Sequence, residues 1–183
     1  MTTTPFQVDT GRLHVPVSDE DHVAGPDGAP VTLVEYGDYQ CPYCGQAHPI
    51  LVRLLEERPD TVRLVFRNFP LVEVHPHAEI AAEFAEAAAA RGLFWPAHDW
   101  LFTHQDRLAP SDLEVAARDL DPSGGIAEEL AAHDYMDRIR RDFIGGIRSG
   151  VNGTPTFYVN GLRHDGGYSL DELLRVVDAA AAS

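Results

Sequence analysis

The chain has no lysine. All 14 of its basic side chains are arginine, set against 29 acidic ones, for a formal net charge of −15 over 183 residues. So little positive charge on so acidic a background excludes unassisted binding to nucleic acid or to an anionic membrane, because both would repel it. Cysteine is nearly as scarce, at two residues, which excludes a disulfide-rich scaffold and a zinc site built from cysteine alone. No apolar run approaches the ~20 residues of a membrane span. Met1 to Phe6 carry neither the basic charge nor the ~7–15 apolar residues of a secretory leader, which predicts a cytoplasmic protein. In that setting a close cysteine pair points to catalysis rather than to a structural bridge. Hydrophobic side chains make up 44% of the chain, enough for an ordinary globular core, and the length fits one domain over residues 1–183.

What is present falls into three blocks. Residues 1–30 are polar and rich in proline and glycine, with one short strand expected near Arg12 to Val17 and a turn at Gly25-Pro-Asp-Gly28. Val31 to Tyr36 reads as a short buried strand. The apolar positions Cys44, Ala47, Leu51, Leu54 and Leu55 then recur at helical spacing until Pro59, and Val62 to Phe66 reads as a second strand. Strand, helix and strand at these lengths predict one βαβ unit with a right-handed crossover. The middle block is helical. Ala78 to Arg91 sets Glu79, Glu83 and Glu86 on one side and Ala81, Phe84, Ala85 and Ala88 on the other, with Gly92 as C-cap. Pro96 fits the first turn of a helix carrying Trp100 and Leu101, and Ser111 with Glu114 forms a capping box for the next. Weaker helices follow at Ile126–His133 and Tyr135–Ile147. Strands at Thr156–Val159 and Leu162–His164 then flank Asn160-Gly161, a hairpin signal, and Ser169 with Glu172 caps a closing helix over Leu170–Ala182.

The chemistry concentrates at Cys41-Pro-Tyr-Cys44. A CxxC beside a βαβ pattern is the sign of a redox site. At a helix start Cys41 meets unpaired N–H groups and the positive end of the dipole, both of which favour thiolate over thiol. Pro42 suits the first helical position, where its missing N–H costs nothing. Cys41 is therefore the expected exposed, attacking sulfur, and Cys44, beneath it, the shielded resolving one. A structural bridge across two intervening residues would close too small a loop to stabilise much. A zinc site would draw on His75 and His77. Glu35 shares a strand side with Val31 and Leu33; it reads either as a buried proton carrier for Cys44 or as an edge glutamate reaching solvent. Pro155, at the entry to a strand, implies either a cis Thr154–Pro155 bond turned against the cysteines or an ordinary trans turn. His48 reads as a partly exposed helix histidine; Arg138, Arg140 and Arg141 read as a solvated face, and Trp95, Trp100 and Phe102 as core.

Glu35-Tyr-Gly-Asp-Tyr-Gln-Cys41-Pro-Tyr-Cys44 and Gly150-Val-Asn-Gly-Thr-Pro155-Thr-Phe together resemble the DsbA-like thiol–disulfide oxidoreductases of the thioredoxin superfamily. Phe66-Arg-Asn-Phe-Pro-Leu71, His75-Pro-His-Ala78 and Phe94-Trp95 are similar to the subgroup sometimes fused to sodium/proton antiporters. The match runs over roughly residues 20–180, with its three motifs in order. The resemblance implies an α/β thioredoxin-like fold, with a core at about 28–72 and 150–183 and a helical insertion at about 73–149. It implies Cys41 as nucleophile, Cys44 as resolving cysteine, Glu35 as buried acid and Pro155 as a cis-proline facing the disulfide. Thr154, with Pro42 and Tyr43, would meet substrate. No cofactor or metal is implied beyond the Cys41–Cys44 couple; the partners are disulfide- or thiol-bearing proteins and a thiol redox partner, acting on a monomer. Pro-Tyr between the cysteines, where strongly oxidising relatives carry Pro-His, places the couple between about −120 mV for DsbA and about −270 mV for thioredoxin. The missing leader favours a reductase or isomerase, or a low-throughput oxidant. The competing readings are a metal-binding module using the cysteine pair with His75 and His77, and a chaperone-like protein without turnover.

Overall fold

The computed structural model describes residues 11–183. Its centre is a five-stranded sheet of β1 (His22–Ala24), β2 (Val31–Gly37), β3 (Val62–Asn68), β4 (Thr156–Val159) and β5 (Leu162–His164), in the order β1-β3-β2-β4-β5. β2 and β3 are parallel, in register Glu35 to Phe66, and are joined by helix α1 (Pro42–Glu57). The other pairs are antiparallel. Both positions of the Asn160-Gly161 turn have positive φ, as a two-residue hairpin of this hand requires.

Each sheet face is apolar and each is covered. Val31, Leu33, Leu64 and Phe157 pack on one side with Leu51 and Leu54 of α1 and with Leu173 and Val177 of the closing helix. Val34, Tyr36, Val65 and Tyr158 pack on the other, where Phe143 joins them. Between β3 and β4 the chain inserts α2 (Ala78–Ala89), α3 (Phe94–Thr103), α4 (Pro110–Leu120), α5 (Gly125–Ala132) and α6 (Met136–Arg148); α7 (Leu170–Ala181) closes the fold. The insertion has its own apolar cluster, which reaches the sheet through Phe66 and the site loop through Tyr39, Cys41 and Cys44.

Several expectations change. Near Arg12 to Val17 there is only an isolated bridge from Arg12 to Leu162, and the strand lies instead at His22–Ala24. Three half-buried residues leave too little alternation to mark it. Ser111 caps nothing: Pro110 takes the first helical position behind an extended Ala109, so α4 begins earlier. Gly92 does terminate α2, with φ +70, through Leu93 N–H to Ala88 and Gly92 N–H to Ala89. Glu83 and Glu86, expected on a solvated side, are 1% and 3% exposed. Helices pack around most of α2, and the buried carboxylates are partnered: Glu86 by His22 and Asn68, Glu83 by His133. Arg138 is likewise drawn in, to Asp142 and Glu86, whereas Arg140 stays exposed. Phe102 is core, and Trp95 and Trp100 pack against the clusters partly buried.

Candidate active site

β2 delivers the chain to the site and Asp38 shapes the turn that follows. Its buried Oδ1 accepts from Gln40 N–H at 2.8 Å and Cys41 N–H at 3.2 Å, while Oδ2 accepts from Leu71 N–H at 2.9 Å and His75 Nδ1 at 2.7 Å. Cys41 is the extended N-cap of α1 and Pro42 its first helical residue. A second support comes from the insertion. Gln105 Nε2 donates to the carbonyls of Tyr39 at 2.8 Å and Cys41 at 2.9 Å. Gly45 makes room for it, since a Cβ there would overlap the Gln105 carboxamide. Nothing local in the sequence marked Asp38 or Gln105; an Asp after a strand and a Gln in a loop are common.

The two cysteines are free thiols 4 Å apart. Cys44 has no exposed surface, and Cys41, expected to be open, retains only 3%. The loop before β4 covers it. The Thr154–Pro155 peptide is cis, and the Cys41 thiol donates to the Thr154 carbonyl at 3.3 Å. The Thr154 hydroxyl is buried with no partner, so it is available to the sulfur when the thiol ionises. Pro42 and Tyr43 are exposed beside it, Tyr43 at 61%.

The two sulfurs are driven apart in acidity. Cys41 is lowered to about 5, first by a hydrogen bond from Cys44, then by Thr154 and the backbone N–H groups of Cys44 and Tyr43, against a cost of burial. Cys44 is pushed far up by burial, by its bond to Cys41 and by the nearby Glu35 charge. Glu35 is buried at 1% exposure, with Oε1 unpartnered, and its carboxyl is pushed up to about 8 by desolvation and by the Cys41 charge. It is therefore no edge glutamate. Tyr168, unmarked in the sequence, also senses both cysteines: burial raises its phenol first, then their charge.

The histidines divide differently from expectation. His75 is engaged by Asp38 and His77 offers its backbone N–H to Gln40. Neither joins the cysteines in a ligand set among the described residues. His48, expected to be partly exposed, is 9% exposed, wedged against Phe102 and His98.

The thioredoxin family pattern matches residues 17–179. The chain belongs to the thioredoxin family. Among solved structures it superimposes on a thioredoxin-like oxidoreductase from Silicibacter pomeroyi with a TM-score of 0.80 and 27% identity, over 91% of this chain and 95% of that one. On BdbD from Bacillus subtilis the TM-score is 0.81 at 24% identity, over 95% and 98%. In sequence it is 50% identical over 173 residues to the Na(+)/H(+) antiporter NhaA 3 of Salinispora tropica, covering 93% of this chain and 26% of that protein. The chain thus spans about a quarter of the length of the curated relatives it matches. Among the described residues no helix is long and apolar enough to cross a membrane. The fold is the thioredoxin-like one of the DsbA type, a βαβ and ββα core with helices inserted between its halves.

Proposed function

We propose that this thioredoxin-family domain is a thiol–disulfide oxidoreductase that works through Cys41 and Cys44. The observation that carries the reading is the placement of two free thiols 4 Å apart, with Cys41 at the start of α1 against the Thr154 carbonyl and Cys44 buried beneath it. At neutral pH Cys41 is a thiolate. It attacks one sulfur of a substrate disulfide; that S–S bond breaks, the second substrate sulfur leaves as thiolate, and a Cys41–substrate disulfide forms beside Thr154 and Pro155. The Cys41 charge that helps raise the Glu35 carboxyl to about 8 is gone in this mixed disulfide, so Glu35 ionises more readily there. Its carboxylate takes the Cys44 proton as Cys44 attacks Cys41 and the Cys41–Cys44 bond forms. The substrate's remaining sulfur leaves, and two electrons have passed from the dithiol to the substrate. Run backwards, the same steps oxidise a substrate dithiol. The Thr154 backbone, with Pro42 and Tyr43, offers the surface where a disulfide- or thiol-bearing protein docks, and no organic cofactor is required.

Cys44→Ser tests the order of events. The variant is expected to accumulate reductant-sensitive Cys41–protein adducts that Cys41→Ser and the double variant do not form. A Cys44→Ser protein that traps nothing, or insulin reduction that survives in Cys41→Ser, would overturn the mechanism.

A further inference from the structure

Helices α1 and α3 bring together three side chains that the exchange chemistry leaves unused. His48 of α1 and His98 and Asp99 of α3 each present a ligand atom, all within 4.8 Å of one another. His98 is 2% exposed, with Nδ1 held 3.0 Å from the Tyr39 hydroxyl, which leaves Nε2 as its free ring nitrogen. His48 Nε2 stands 3.4 Å from Asp99 Oδ1. No hydrogen bond joins His48, His98 and Asp99 to one another, so three donor atoms converge without satisfying each other. Other His–carboxylate pairs, His75 with Asp38 and His133 with Glu83, are closed at 2.7 and 2.8 Å. The group opens onto a cavity of about 360 Å³ lined also by Leu51, Leu64 and Trp95.

We propose that His48, His98 and Asp99 form a binding site for a divalent transition metal of the zinc class, clamping α1 to α3 behind the cysteines. The donor set decides the metal class. Two imidazoles and one carboxylate suit zinc, cobalt or nickel, whereas calcium and magnesium take oxygen ligands. The Tyr39 hydroxyl, 3.0 Å from His98 Nδ1, holds that ring as an outer partner holds a ligating imidazole and leaves Nε2 as the nitrogen that would take the metal. Three protein ligands leave a fourth position open to the cavity for water.

The site is independent of the exchange reading, and the test removes the cysteines so that no thiolate can supply a ligand. Untagged Cys41→Ser/Cys44→Ser protein is titrated with cobalt(II), and the bound cobalt is displaced with zinc(II). One cobalt per chain is expected, with the intense visible absorption of a four- or five-coordinate ion. Asp99→Asn, at an exposed position, and His48→Gln should each weaken binding at least about tenfold while the far-ultraviolet circular dichroism stays native. Absence of stoichiometric binding, the weak spectrum of six-coordinate cobalt, or affinity unchanged in both variants would overturn the assignment.

Discussion

Glu35 is the residue whose chemistry is most sensitive to its surroundings. Its neighbours in β2 are apolar, its Oε1 has no partner, and its carboxyl is raised from 4.5 to about 8. An acid raised on folding binds its proton more tightly in the native state than in the unfolded one. Stability is therefore complete below about 4.5 and falls as pH rises towards 8. At full ionisation the loss is roughly 5 kcal/mol. Cys41, lowered to about 5, adds an opposite slope over the same range, so the comparison belongs in a Cys41→Ser background. There urea unfolding at pH 5 and pH 8 should show a smaller loss for Glu35→Gln than for its parent. An unchanged slope in the variant would assign the decline elsewhere. The same substitution should slow resolution of the Cys41–substrate disulfide, because Cys44 loses its proton acceptor. Part of the shift comes from the Cys41 thiolate, so oxidation of the pair should move the decline to lower pH.

At the scale of elements, the start of α1 is held from two directions. Asp38 gathers the N–H groups of the turn and Gln105 gathers its carbonyls, so the loop cannot rotate its N–H groups away from the Cys41 sulfur. Gln105→Ala should cost about 1–3 kcal/mol, the range for two lost side chain–backbone bonds. It should also raise the midpoint of Cys41 alkylation above about 5, where the parent should titrate. Gly45→Ala displaces the same carboxamide, so the two substitutions together should cost less than their sum. A midpoint unmoved in Gln105→Ala would show that Gln105 only packs. His75, by contrast, belongs to the Asp38 side of this support, which explains its place near the site without any ligand role.

For the whole molecule, the absence of lysine has a structural counterpart in forked arginine contacts. Arg67, 3% exposed, donates from Nε and Nη2 to both oxygens of Asp21 at 2.8 and 2.9 Å, and its remaining donors reach the Val15 and Pro16 carbonyls and the Tyr36 hydroxyl. An ammonium could not make that set. The contact binds the segment before β1 to the sheet across 46 residues of chain. Arg67→Leu should cost about 3–5 kcal/mol at pH 7, because Asp21 is left buried without its charge partner; adding Asp21→Asn should restore part of it. Chemical denaturation of the parent and the two variants reads this directly, and a loss under about 1 kcal/mol in Arg67→Leu would reduce the pair to a surface contact. Pairing holds the Asp21 carboxyl below its ordinary value of 3.8 despite burial, so this contribution is present above that pH and is lost on further acidification.

The local features were legible in the sequence. The Cys41-Pro-Tyr-Cys44 helix start, the Asn160-Gly161 hairpin and the Ser169 cap arise from interactions within a few residues, and the strand–helix–strand spacing around the cysteines implies the parallel pair. Glu35 and Pro155 stood open between two readings, and their neighbours in space decided them: burial for one, and for the other a Thr154 carbonyl brought 113 residues along the chain to Cys41. The buried Glu83 and Glu86, the Gln105 brace and the meeting of His48 with His98 left no local trace. Glu83 and Glu86 go inside because distant segments supply their partners, as His22 does for Glu86 across 64 residues. Short-range pattern therefore determined which elements form and where the cysteines sit, while tertiary contact alone decided which polar groups surround them and at what pH they ionise.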